Sequence, residues 1–589
     1  MKDFFKYVFA TVIGIVISTV VLAIIFMVVI FSAISSIGED KPVEVKNNSV
    51  LYIDLDQAIT ERTPTNSLAG LPIIGGSDVK SIGFYDLIKA LKAAKTDDKI
   101  DCIYLNVSAP NAGMATMLEV RNALLDFKES KKPIIAYSEV YSQGAYYLAS
   151  VANKVYLNPQ GALEFKGFSS ELTFFKGALD KLGVEAQIIR VGNYKSAVEP
   201  FINTKMSDYN RQQVTAYVNG LYQTFLQGIS QTRKISTDSL ALLANDYKIQ
   251  QPKDALAYRM VDGLRYKDEV LDELKTITGK NKKENITSIP LNKYAQKLPA
   301  STSGSPSQVA VIYANGDIVG GEGSDEQIGS ERISRAIRKA RLDDDIKAIV
   351  LRVNSGGGSA LASDVIWREI VLSKKVKPVI ASFGDVAASG GYYIGCAADS
   401  IFVQPNTITG SIGVFGIIPN FQNLLNNKLG ITFDGVKTGQ YADIMSTNRP
   451  LTPGERFIIQ NDVNHVYDSF ITRVADGRKK TKAQVDSIGG GHVWTGSDAV
   501  KIGLADRLGS FNDAIKAAAK KAKLSDYQIV EYPEKIDPWK SFITEAKDNA
   551  HVYFAKKEFG ENYLLYKQMQ KAIVNSGIQA RMDYEIKIK

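Results

Sequence analysis

The chain repeats itself. Residues 96–108 (TDDKIDCIYLNVS) align with 342–354 (LDDDIKAIVLRVN), 131–150 (KKPIIAYSEVYSQGAYYLAS) with 376–395 (VKPVIASFGDVAASGGYYIG), and 155–168 (VYLNPQGALEFKGF) with 401–416 (IFVQPNTITGSIGVFG). Three matches in one order and at nearly one spacing make each half a copy of the same unit, so a fold proposed for one must serve for the other. Farther along, VGNYKSAVEPF (191–201) falls opposite KTGQYADIMST (437–447). Within each copy, short runs of Ile, Val, Leu and Tyr, such as 346–353 and 378–382, alternate with longer stretches of helical period. That alternation predicts an α/β unit.

A chain of 589 residues is too long for one hydrophobic core, and its 45% apolar and 23% charged residues are enough to fill two. The duplication divides it into an N-terminal stub and anchor (1–40), a first copy (41–298), a polar linker PASTSGSPS (299–307) and a second copy (308–531). The remainder, 532–589, reads as a charged amphipathic helical segment closing on the alternating strand-like end YEIKIK. Residues 7–31 carry no charge and follow Lys2 and Lys6. Such a run is long enough to cross a bilayer as one transmembrane helix, and longer than the apolar region of a cleaved signal peptide, which predicts a retained anchor. The small residues Ser32 to Ser35 keep cleavage open. Lysines on the short side place the N-terminus in the cytoplasm and everything after about Gly38 across the membrane.

The net charge of +8 is spread along the chain without a long basic run. It favours solubility and anionic lipid, and no nucleic-acid partner is expected. Cys102 and Cys396, with His465, His492 and His551, show no ligand spacing and no disulfide framework, so neither metal nor cofactor is expected.

Chemistry concentrates where the copies differ. Ser389 in AASGGYY stands opposite Gln143 in YSQGAYY, so the second copy alone offers a nucleophile there. Lys195 in GNYKSAV stands opposite Ala442 in GQYADIM, so the first copy alone offers a base. A lysine that is uncharged can take the proton of a serine hydroxyl. Read singly, Ser389 is a small residue in a tight turn and Lys195 a surface lysine. The reciprocal loss favours a shared site. Likewise NSGGGS (354–359) has only SAPNAG (108–113) as its counterpart. Bare backbone N–H groups can hold an oxyanion, with Gly390 supplying one and Gly357 or Gly358 the other.

The anchor, the YSQGAYYLAS and GNYKSAVEPF strings of the first copy, and the NSGGGS, ASGGYY and TGSIGVFG strings of the second resemble the signal peptide peptidase A family, also called protease IV, in its long duplicated form. The resemblance implies a crotonase/ClpP-like fold in each copy, Ser389 as nucleophile, Lys195 as general base and Ser411 as a hydroxyl that helps hold the lysine. It also implies an inner-membrane homotetramer, its eight similar domains forming a periplasmic bowl that degrades cleaved signal peptides and other hydrophobic peptides. One departure is Gly356, where the family has proline, which implies a looser loop. The repeat itself leaves open whether serine and lysine meet within one chain or between two; the resemblance favours one chain. The rival readings are a non-catalytic, membrane-anchored peptide-binding scaffold and an acyl-CoA enzyme of the crotonase type.

Overall fold

A parallel sheet covered on both faces needs central strands that are apolar on both sides, and IKAIVLRVNS (Ile346–Ser355) is buried at almost every position. A computed structural model describes residues 2–37, 44–63, 81–298, 305–535 and 577–582. In it this strand lies between Gln308–Asn315 and Val379–Ala388, parallel to both. Gln528–Tyr532 flanks Gln308–Asn315 on the outside. Beyond Val379–Ala388 lie Ser400–Val403 and Ile408–Gly410, also parallel to it, and then Val493–Thr495, antiparallel to Ile408–Gly410.

The first copy repeats the arrangement. Its sheet runs Ser288–Pro290, Ser49–Asp54, Ile100–Asn106, Ile134–Tyr141, Lys154–Leu163, Gly263–Leu264, with every neighbouring pair parallel. The covering helices repeat too. Phe84–Thr96 buries Leu87, Ala90, Leu91 and Ala94, and Ser330–Leu342 buries Ile333, Ala336, Ile337 and Ala340. Each set is one helical stripe at i, i+3, i+4, i+7.

The two copies share a core. Val309, Val311, Ala348 and Val350 of the second sheet belong to the cluster built on the first copy, whereas the alternate residues Ala310, Ile312, Ile349 and Leu351 face the second copy's own helices. Period-two alternation therefore uses one sheet to serve two layers. Buried charges cross the same seam: Arg352 meets Glu61 and Glu119, and Asp385 accepts hydrogen bonds from the N–H groups of Ala115 and Thr116 at 2.8 and 2.9 Å.

A smaller sheet, built from both copies, positions the site. Its order is Gln327–Gly329, Asp317–Val319, Gly357–Ser359, Gly577–Arg581, Phe415–Asn420, Glu185–Arg190.

The N-terminal residues form one helix, Lys2–Ile37. Within the expected anchor 7–31, the side chains of 23 and 26–31 lie outside the described residues. Among the described residues no helix is long and apolar enough to cross a membrane. Most of the linker, the amphipathic stretch 536–576 and the YEIKIK end likewise lie outside them. The strand found near the C-terminus, Gly577–Arg581, precedes that end.

Candidate active site

Ser389 sits where Val379–Ala388 turns into the short helix Gly390–Gly395, with φ 54° and ψ −116°. A non-glycine residue there stores about 1–3 kcal/mol of backbone strain. The turn is held from both sides: Ser389 N–H donates to Gly410 O at 2.8 Å, and Ser389 O accepts from Tyr393 N–H at 2.8 Å. Although Ser389 occupies the N-cap position, its hydroxyl makes no cap bond. Glycine is required next, because a Cβ on Gly390 would lie 2.7 Å from Ser363 Oγ.

The first copy shows what the turn becomes without a serine at this position. There Ser142 caps the helix Gln143–Ala149 by accepting from Ala145 N–H. The Gln143 side chain is a brace, its Oε1 accepting from the N–H groups of Lys166 and Gly167, and its Nε2 donating to Gly167 O, each at 3.0 Å.

Lys195 follows the strand Glu185–Arg190 and opens the turn Ser196–Val198. Its side chain is buried at 1% exposure and that of Ser389 at 0%. Lys195 Nζ lies 2.9 Å from Ser389 Oγ, 3.1 Å from Ser411 Oγ and 3.2 Å from Ser411 O. All four atoms belong to one chain. A neutral amine has two N–H groups and one lone pair, so Lys195 can donate to Ser411 while its lone pair faces the serine hydroxyl. Ala442, its counterpart in the repeat, is exposed.

Several residues outside the sequence-derived set hold the lysine. Tyr194 N–H donates to Gly490 O at 3.1 Å, and a side chain on Gly491 would collide with the Lys195 backbone. Gln213 Nε2 donates to Tyr194 O and Ser196 Oγ, and Gln213 Oε1 accepts from Val493 N–H. The run Gly489-Gly490-Gly491 was the visible signal for this close approach. His492 serves packing here: its ring stacks on Trp494 at 4.0 Å and its Nδ1 meets Val493 O, while burial lowers its pKa.

Of the glycines in NSGGGS, Gly357 gives its N–H to Ser355 Oγ at 3.0 Å. Gly358 lies one residue farther along the strand Gly357–Ser359. Both cysteines are buried and unpaired, and no group of three His, Cys, Asp or Glu among the described residues is placed to hold a metal ion.

A duplicated α/β scaffold that buries a strained serine hydroxyl against an amine has the parts of a serine hydrolase. The pattern of peptidase family S49 matches twice, at residues 126–281 and 372–525. "Protease 4" of Salmonella typhi is 39% identical over 531 residues, covering 87% of this chain and 84% of its own length. "Protease 4" of Haemophilus influenzae is 36% identical over 518 residues, covering 85% and 84%. "Serine protease SPPA, chloroplastic" of Arabidopsis thaliana is 30% identical over 550 residues, covering 92% and 78%. The chain belongs to peptidase family S49, in its signal peptide peptidase A branch, and is a serine protease.

Proposed function

We propose that this protease is a membrane-anchored endopeptidase that degrades cleaved signal peptides and similar hydrophobic peptides through a Ser389/Lys195 dyad. The observation that carries the reading is the 2.9 Å approach of two buried side chains, one from each copy. Uncharged Lys195 takes the proton of Ser389, whose oxygen attacks a peptide carbonyl. The N–H groups of Gly390 and Gly358 receive the oxyanion. Lys195 then gives its proton to the departing amine, and water, activated the same way, releases the acyl group from Ser389. Ser411 holds the amine in line through its hydroxyl and carbonyl.

The wider assembly follows the family likeness: crotonase/ClpP-like copies in a homotetramer, held at the inner membrane by residues 7–31, with the catalytic domains on the periplasmic side. The uncharged sequence of 7–31 supports the anchor. Carbonate extraction of membranes tests it, since a peripheral protein washes off. Light scattering of the detergent-solubilised protein tests the tetramer.

For the dyad, Ser389→Ala and Lys195→Ala are assayed separately on a hydrophobic peptide ester. Each lowers kcat/KM by about 10³-fold or more; near-full activity in either ends the proposal. An active-site fluorophosphonate labels the native chain and spares Ser389→Ala, whereas a scaffold takes no label at all.

A further inference from the structure

Three rings, Tyr194, His492 and Trp494, form a stack along the catalytic set, and each borders one of its members or the backbone that holds it. Tyr194 precedes Lys195, and its ring lies 4.3 Å from that of His492. His492 in turn lies 4.0 Å from Trp494, at 22° to its plane. The backbone carbonyl of His492 accepts the Ser411 N–H at 2.7 Å. Trp494 covers Gly410, where an added Cβ would lie 2.7 Å from the indole Cδ1, and it is the Gly410 carbonyl that accepts the Ser389 N–H. Lysine, supporting hydroxyl and nucleophile thus each have a neighbour in one stack, with His492 as its middle ring.

The stack is held at both ends. Tyr194 Oη donates to Gln212 Oε1 at 3.0 Å, and Trp494 Nε1 donates to Ile488 O at 3.0 Å. Between them one bond orients the imidazole, from Nδ1 to Val493 O at 2.9 Å. A carbonyl only accepts, so Nδ1 carries the proton and the neutral ring keeps its lone pair on Nε2. Burial favours that uncharged ring, against the pull of the Val493 carbonyl and of Asp498. Tyr194 belongs to the first copy, and His492 and Trp494 to the second. The contact between Tyr194 and His492 therefore bridges the copies one residue away from the lysine.

We propose that His492 is a positioning residue for the dyad: its ring, stacked between Tyr194 and Trp494, sets Lys195 of one copy in register with Ser411 and Ser389 of the other. The inference rests on the Ser389/Lys195 reading. Lysine carries its amine on a flexible four-carbon stem, and a base displaced by about 1 Å loses about 100-fold in rate. The main-chain bond from Tyr194 N–H to Gly490 O fixes how closely the two copies approach. A flat ring laid against a flat ring fixes the tilt that this single bond leaves free. Histidine suits the middle place because it offers two aromatic faces and, at its edge, a donor for Val493 O. Phenylalanine offers the faces alone, and asparagine the donor alone.

That difference is the test, made in the full chain with kcat and KM measured on a hydrophobic peptide ester and Tm on the same samples. His492→Asn lowers kcat about ten-fold or more with KM little altered, whereas His492→Phe, which keeps the stack, lowers it only about three-fold. Tyr194→Leu removes the outer ring at a half-buried position and lowers kcat as His492→Asn does. The double variant falls no further than either single one, because the contact that both remove is already gone. Should His492→Asn melt below the assay temperature, Tyr194→Leu decides instead. A folded His492→Asn or Tyr194→Leu variant with native kcat, a loss confined to KM, or equal losses of kcat in His492→Phe and His492→Asn overturns the inference and leaves the stack as packing. Ser389→Ala separates the two claims: if it abolishes hydrolysis while the stack variants stay fully active, the dyad stands and the positioning role falls.

Discussion

Arg352 of the second copy grips Glu61 of the first through two nitrogens, at 2.9 and 3.2 Å, with all three charged heads of the cluster, Glu119 included, buried. The same guanidinium reaches Glu119 at 3.3 Å and Ser382 Oγ at 3.0 Å. Arg352→Ala strands two carboxylates in the core and costs about 3–5 kcal/mol in urea unfolding. Arg352→Lys keeps the charge and loses the fork, so it falls between. A cost below 1 kcal/mol for the alanine variant removes the cluster as a clamp between the copies.

Glu119 gives the same cluster a pH dependence. Burial pushes its carboxyl up from 4.5 to about 7, against the pull of Arg352 and the Phe511 N–H. Its folded pKa lies above the unfolded one, so the stability it contributes is complete below about 4.5 and is lost as pH rises through about 7. Glu119→Gln stays neutral and keeps an oxygen for the Phe511 N–H. The stability difference, variant minus native, therefore grows between pH 5 and 7, by at most about 1.4 kcal/mol per pH unit. A difference that is flat across that window refutes the raised carboxyl.

Ser411 is best tested by its hydroxyl alone. Ser411→Ala removes the 3.1 Å contact to Lys195 Nζ and leaves the 3.2 Å contact from the carbonyl. The amine loses one of two anchors, and kcat falls about 10- to 100-fold while KM stays near its native value. A change confined to KM assigns Ser411 to substrate binding instead.

The scaffold was readable because it follows from repeated burial. Leu87, Ala90, Leu91 and Ala94 occupy the same places in their copy as Ile333, Ala336, Ile337 and Ala340 in theirs, and both stripes print the helical period directly. The contrast of Gln143 with Ser389 was also visible, since a long amide replaces a hydroxyl. Less visible was what surrounds the lysine. Gly490, Gly491 and Gln213 approach the Lys195 loop only through tertiary contact, and no local periodicity ties a glycine run in one copy to a loop in the other. In the sequence Arg352 only interrupts the apolar run of IVLRVN, because a sequence cannot show that Glu61 and Glu119 lie across a seam. The strand Gly577–Arg581 was passed over for the stronger alternation of YEIKIK. The run GIQAR is too brief for its alternation to stand out beside YEIKIK.

Gln213 ties three segments together, and its removal separates positioning from chemistry. Its Nε2 donates to Tyr194 O at 3.1 Å and Ser196 Oγ at 2.9 Å, on either side of Lys195, while its Oε1 accepts from Val493 N–H at 3.2 Å. Gln213→Leu keeps the volume and leaves buried donors and acceptors unpaired, which costs about 1–3 kcal/mol of stability. The lysine segment then loses one of its tethers to the second copy, the other being Tyr194 N–H to Gly490 O, and kcat falls about ten-fold with KM little altered, because the amine and not the peptide is displaced. Gln213→Glu restores the acceptor for Val493 but cannot donate to Tyr194 and Ser196, so it recovers stability in part and activity less. A leucine variant that is destabilised yet fully active shows that Gln213 braces the fold alone, since only a role in aiming Lys195 makes kcat follow the hydrogen bonds on the lysine side.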